Sequence, residues 1–327
     1  MDVKHDPEAS RLPDWARPDH PVMRYLLHGE AQRSGRLARW VTRIGGLGIA
    51  AGLLLLSYQG YRKNTPFAIS PDVESGLFVV LYLPLVLLQL FVTLIVLIST
   101  ESVFSLTAQP QAWQLVRITT HGAGLAVRAR WAAVLYQVRW LLALLVVPRL
   151  VFVAQMVADL VGPDRFDLER ALVGVTPDIS PGGAIVLLAA LMIGTVGLPL
   201  AIIAFNAALG LFLTGVLENR RLATMARLVV LIAEVGIFNV ALLFLDLASV
   251  RWPYTNMPDL GTLLRLLAVG DQGLRLLDLP SYALLWSAVD YSLYAGVWLL
   301  ALTIILGVLT VWLIRYTAER AESPSEQ

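Results

Sequence analysis

Arg139, Arg149, Glu234 and Asp246 stand inside long apolar runs, and Glu101, Asp159 and Asp290 stand at the ends of such runs. A charged side chain at the centre of a spanning helix costs roughly 2.5 to 3.5 kcal/mol on insertion scales, so it normally faces a partner or a water-filled cavity. Acids in series would relay protons or ions, whereas opposite charges on two helices pair and set their register. The signs here match between two runs and no chain of acids crosses from end to end, which favours pairing. Counted from Trp131 and Ala226, Arg139 and Glu234 each lie eight residues in, about 12 Å along a helix. Arg149 lies eighteen residues in and Asp246 twenty, a difference of about 3 Å that an arginine side chain spans. The expected intramembrane ion pairs are Arg139 with Glu234 and Arg149 with Asp246.

Other chemistries lack their residues. The chain has no cysteine, which removes disulfides, thiolate metal sites and thiol nucleophiles. Its histidines, His5, His20, His28 and His121, all lie outside the apolar runs, so the paired intramembrane histidines of haem-carrying proteins are missing. The only lysines are Lys4 and Lys63, and no G-x-x-x-x-G-K-[ST], H-E-x-x-H, EF-hand or G-x-S-x-G pattern occurs. No catalytic residue, metal or cofactor is assigned, and the reading is not that of an enzyme. A net charge of +1, with arginines clustered between apolar runs, gives no reason to expect nucleic acid as a partner.

The elements that carry these residues follow from composition. Of 327 residues 57% are hydrophobic and 15% charged, against about 25% charged in soluble domains, so lipid must solvate most of the chain. Six runs reach the ~20 residues that cross ~30 Å of hydrocarbon: Trp40 to Tyr58, Leu77 to Ile98, Trp131 to Ala158, Ala184 to Leu217, Ala226 to Ala248 and Tyr291 to Ile314. The first reads as an uncleaved anchor, since no small-residue cleavage pattern follows it. The fourth is too long for one straight span, and Pro199 in its middle predicts a kink or a projection into the cytoplasm. Gly48 and Gly52 form one G-x-x-x-G, a spacing that lets two helices approach closely.

Lys and Arg in the connections set the orientation. Sixteen fall on the side holding both termini and seven on the other, so both termini are expected in the cytoplasm. Ahead of the first span, Arg33, Arg36, Arg39 and Arg43 recur every three or four residues beside Leu26, Leu37, Val41 and Ile44. That pattern predicts an amphipathic helix in the membrane surface with its arginines on lipid headgroups. Residues 249–289 form the longest outer connection, where Pro258 and Asp259 start a short helix through Leu263, Leu264, Leu266 and Leu267, with Trp252, Tyr254 and Trp286 at interface depth. This connection is expected to lie on the outer leaflet or dip into it.

In this order the features resemble the permease subunit of a type-2 ABC exporter. HPVMRYLLHGEAQRSGRLARW, residues 20–40, is similar to the N-P-V-h-x-K-E-L-R start of those permeases, where h is apolar. WQLVRITTHGAGLAVRARWAAVLY, from Trp113, is similar to the stretch that forms their coupling helix. The resemblance implies a type-2 ABC exporter-like fold, an all-α integral membrane protein with six transmembrane helices and an N-terminal amphipathic interfacial helix. The implied layout is a cytoplasmic segment 1–39, a membrane domain 40–314 with a coupling segment 100–130 and an outer interfacial segment 249–289, and a cytoplasmic tail 315–327. It implies a bacterial plasma (inner) membrane, a separate ATP-binding subunit, and a homodimer or a heterodimer with a second permease. Trp113, Gln114, Leu115, Arg117, Thr119, Thr120 and His121 are the docking residues by this match. The sequence departs from the pattern at Thr107, Ala108, Gln109, Pro110 and Gln111, where a charged cluster is usual, and at Gln114, where glutamate is common. Those departures keep open a second class, a non-transporting structural or assembly subunit of a larger membrane complex.

Overall fold

A computed structural model describes Met23 and residues 76–107, 122–161, 167–217, 220–251 and 260–322. The expected first span and N-terminal amphipathic helix, with Arg33, Arg36, Arg39 and Arg43, lie outside the described residues, as does the coupling sequence 108–121. The described chain is all-helical. Its α-helices are α1 (Gly76–Thr107), α2 (Gly122–Gln137), α3 (Arg139–Val161), α4 (Leu168–Ala171), α5 (Pro181–Val216), α6 (Arg220–Arg251), α7 (Leu260–Val269), α8 (Leu279–Ala288) and α9 (Ala295–Glu322), with short 3-10 turns at Leu274–Leu277 and Ser292–Tyr294. Five segments are long and apolar enough to cross a membrane: Leu81–Thr100, Arg139–Val161, Pro181–Val216, Arg221–Ala241 and Ser292–Arg320. The chain is a multi-pass membrane protein.

Two boundaries differ from the sequence reading. The apolar run from Trp131 divides at Val138, where the bond from Val138 N to Val134 O stretches to 3.4 Å, and the membrane-length part begins at Arg139. The fourth run is one helix of 36 residues that continues through Pro199. At 1.5 Å per residue it is about 54 Å long, well beyond ~30 Å of hydrocarbon. It starts where the sequence provides a cap, because Ser180 Oγ accepts from Gly183 N at 3.3 Å and Pro181 occupies a first-turn position that has no donor to lose.

Small residues set which spans touch. Gly194 on α5 faces Leu299 and Gly296 of α9, Gly197 faces Thr303, and Gly215 faces Thr317, so the two helices run side by side along most of their length. Gly210 of α5 meets Thr100 of α1. These contacts put the end of α1, the end of α5 and the end of α9 at one face of the bundle. At the other, Tyr291 N donates to Thr176 O at 2.9 Å and Trp286 Nε1 to Ala171 O at 3.3 Å, so the connection before α5 and the residues before α9 lie together.

From this second face the long connection turns inward. α7, the turn at 270–273 and α8 make a hairpin whose Leu263, Leu267, Leu274, Leu277 and Tyr282 belong to the main core with Leu188 and Leu191 of α5. Trp286, expected at the interface, is buried in that core and packs on Tyr282 with ring centroids 5.1 Å apart. Its long run of leucines explains the difference: a segment this apolar buries more area against α5 than on a surface.

Candidate functional site

The hairpin turn is where the buried polar groups converge. In α1, Tyr82, Gln89, Thr93 and Thr100 are spaced seven, four and seven residues apart, which places them on one face, and all four are buried. Gln89 Nε2 donates to Gly270 O at 3.3 Å, and the Tyr82 hydroxyl donates to Asp271 Oδ2 at 3.0 Å. The same carboxylate accepts from Gly273 N and Arg275 N, both at 3.0 Å, so Asp271 folds the turn around itself. Arg275 lies over the Tyr82 ring, 5.2 Å from its centroid. The reversal requires left-handed backbone at Gln272, φ 52°, and at Gly273, φ 78°. Glycine adopts this readily, and an added Cβ at Gly273 would stand 2.8 Å from Thr195 Cγ2.

Arg149, at 0% exposure, is the fully buried cation of this cluster. Its Nη1 donates to Thr195 O at 2.5 Å and to Gln272 O at 3.5 Å, and its Nη2 donates to Asp271 O at 3.2 Å and to Gln89 Oε1. Thr195 O is available for a reason written in the sequence. A proline removes the donor that would bond the carbonyl four residues earlier, and Pro199 stands four residues after Thr195. The Asp271 carboxylate lies within electrostatic reach and supplies counter-charge. Arg149 Nε and Gln272 Oε1 are buried without a hydrogen-bond partner.

The turn also lies deep. Thr195 is fourteen residues into α5 from Pro181, about 21 Å along the axis, and Arg149 is twelve from the end of α3, about 18 Å. In a ~30 Å apolar layer both sit well inside, where irregular backbone persists only if protein satisfies its polar groups. Arg149, Gln89 and Tyr82 do that for residues 270–275.

The sequence-based ion pairs fare differently. Arg139 is exposed, with its guanidinium 4.9 Å from the Tyr136 ring centroid and 5.6 Å from that of Trp140. Glu234 faces the buried Asn206 side chain of α5, and its Oε2 has no hydrogen-bond partner. The structure does not bring Arg139 and Glu234 together; an ion pair that does form among the described residues is Arg170 with Asp167, at 3.8 Å on the surface. Arg149 directs its described bonds to neutral oxygens instead of a carboxylate, and the Asp246 side chain lies outside the described residues. Depth along two helices ignored a third kind of partner, the carbonyl freed by a proline. Trp113, Gln114, Leu115, Arg117, Thr119, Thr120 and His121 also lie outside the described residues. Tyr82, Gln89, Thr195, Asp271 and Gln272 escaped the sequence reading. Their signals were the polar stripe in an apolar run and the Gly270-Asp271-Gln272-Gly273 break between two leucine-rich helices.

Comparison of the chain with protein-family models, with curated proteins and with solved structures finds no significant match in any of the three.

Proposed function

We propose that the chain is the membrane-embedded permease subunit of an ABC-type exporter, working with a separate ATP-binding subunit and a second permease copy or homologue in a bacterial plasma membrane. The observation that carries this reading is the polar-pinned hairpin at the face of the bundle opposite the ends of α1, α5 and α9. An exporter needs a motor contact on the cytoplasmic side and a closure on the outer side. The segment from Trp113 that resembles a coupling helix supplies the first, and the hairpin between the last two spans supplies the second. The sixteen-to-seven asymmetry of Lys and Arg orients the two faces accordingly.

The test is copurification of the full chain from its native membrane. An associated nucleotide-binding protein with vanadate-sensitive ATPase activity is expected. Trp113→Ala with Leu115→Ala should weaken that association by tenfold or more, since interface anchors typically contribute about 2 kcal/mol or more each, while the chain still inserts. A stable assembly containing no nucleotide-binding protein would refute the permease reading and favour a structural subunit.

A further inference from the structure

One guanidinium joins three separately built pieces of this chain. Thr195 belongs to α5, Gln89 to α1, and Asp271 and Gln272 to the hairpin turn, and all four give an oxygen to Arg149. The apolar contacts of α7 and α8 are non-directional and tolerate sliding. The turn is not tolerant, because its carbonyls must be matched wherever it lies in a dry layer. If the guanidinium withdraws, the carbonyls of Thr195, Asp271 and Gln272 lose that donor at once, and Thr195 O has no helical donor to fall back on. Hairpin position and guanidinium position are therefore coupled.

We infer that Arg149 is a latch: bound to the carbonyl that Pro199 frees, it holds the hairpin against α1 and α5, and the hairpin leaves the bundle only when that guanidinium is released. As a gate for export this rests on the permease reading; as a latch it does not. The latch is set by a backbone defect in one span and a side chain from another, so it senses movement of α3 relative to α5. A shift of either helix by an ångström or two breaks a geometry that holds Nη1 at 2.5 Å from Thr195 O.

The absence of cysteine makes a single reporter possible. Thr195 is buried beneath Gly273, and Thr195→Cys changes its side chain while keeping the carbonyl that Arg149 uses. In detergent, where both faces are reachable, the rate at which a charged methanethiosulfonate modifies this thiol reads hairpin opening. Arg149→Ala should raise the rate about tenfold or more, the weight of one lost charge-assisted hydrogen bond. Ethylguanidinium, which replaces the deleted atoms, should lower it again. Pro199→Ala gives Thr195 O a helical donor that competes with Arg149, so it too should raise the rate, in a protein whose α5 has gained a bond. This second variant decides the matter even if Arg149→Ala does not accumulate. An unchanged rate in Pro199→Ala, or a fast rate in Arg149→Ala that ethylguanidinium leaves fast, overturns the latch. Restored protection in a chain that copurifies with no ATPase would keep the latch and remove the permease reading.

Discussion

Replacing Gly296 by alanine tests whether the close approach of α5 and α9 is set by the absence of a single methyl group. An added Cβ at Gly296 would stand 2.6 Å from Leu191 Cα and 2.8 Å from Leu187 O, with Leu191 N nearer still. These are backbone atoms of a long helix and cannot swing aside as a side-chain tip would. Ordinary van der Waals contact begins at 3.4 Å, so the helices must part by about 1 Å at this point to clear Leu191 N. Gly194 meets Leu299 and Gly197 meets Thr303 a few residues further along, so that parting loosens a run of contacts and not just one. Overpacking of a close-fitted interior costs roughly 1 to 3 kcal/mol. At about 2–4 °C per kcal/mol, the value for chains of 150–250 residues, Gly296→Ala should lower the thermal midpoint in mild detergent by several degrees. Gly307 on the same helix has nothing within 4 Å of its added Cβ, so Gly307→Ala should leave the midpoint unchanged or raise it, by up to ~1 kcal/mol from helix propensity. Equal shifts for the two variants would show that the α5–α9 contact does not depend on the missing methyl, and the packing reasoning would fail.

Arg139→Ala and Glu234→Ala should have additive effects on detergent stability to within about 0.5 kcal/mol, because Arg139 lies on the Tyr136 and Trp140 rings and Glu234 faces Asn206. A larger coupling energy in the double-mutant cycle would restore the ion pair that depth alone suggests. For topology, cysteines at Ser70 and Ser180 should react with an impermeant thiol reagent from outside intact cells and those at Ser34 and Ser323 should not; the reverse pattern would invert the orientation.

Hydrophobic run length located the five spans that lie among the described residues because ~20 apolar residues have few other fates, and the same reading placed a short helix through Leu263 and Leu267, both buried in α7. Where that helix goes was less legible. Trp286 carries both an indole N–H and a large apolar face, which suits an interface as well as a core with one acceptor, and only the position of Ala171 O decides between them. Arg149 was recognisable as expensive, and so as functional or paired, but three of its four acceptors are main-chain oxygens, which every residue has. Pro199 in the sequence predicts a kink, whereas α5 continues through it as one helix, and its other effect, an unclaimed carbonyl at Thr195, is what Arg149 binds. Neither residue alone predicts the contact; it takes the proline on one span and the arginine at matching depth on another.

The wide sequence separation of this cluster orders events during synthesis. Arg149 precedes Asp271 by 122 residues and Gln272 by 123, and Tyr82 precedes Asp271 by 189. At roughly 5–20 residues per second a ribosome needs on the order of 6 to 25 seconds to cover the first gap. For that interval the guanidinium is in or near the lipid before the turn that will accept it exists. α3 tolerates this because thirteen Leu, Val and Phe residues accompany Arg149, at about −0.3 to −0.6 kcal/mol each near a helix centre, against roughly +2.5 to +3.5 for the arginine. The third expected span thus enters on its own hydrophobicity, and its guanidinium meets its acceptors on the turn only when the last connection between spans arrives to close over spans made long before it.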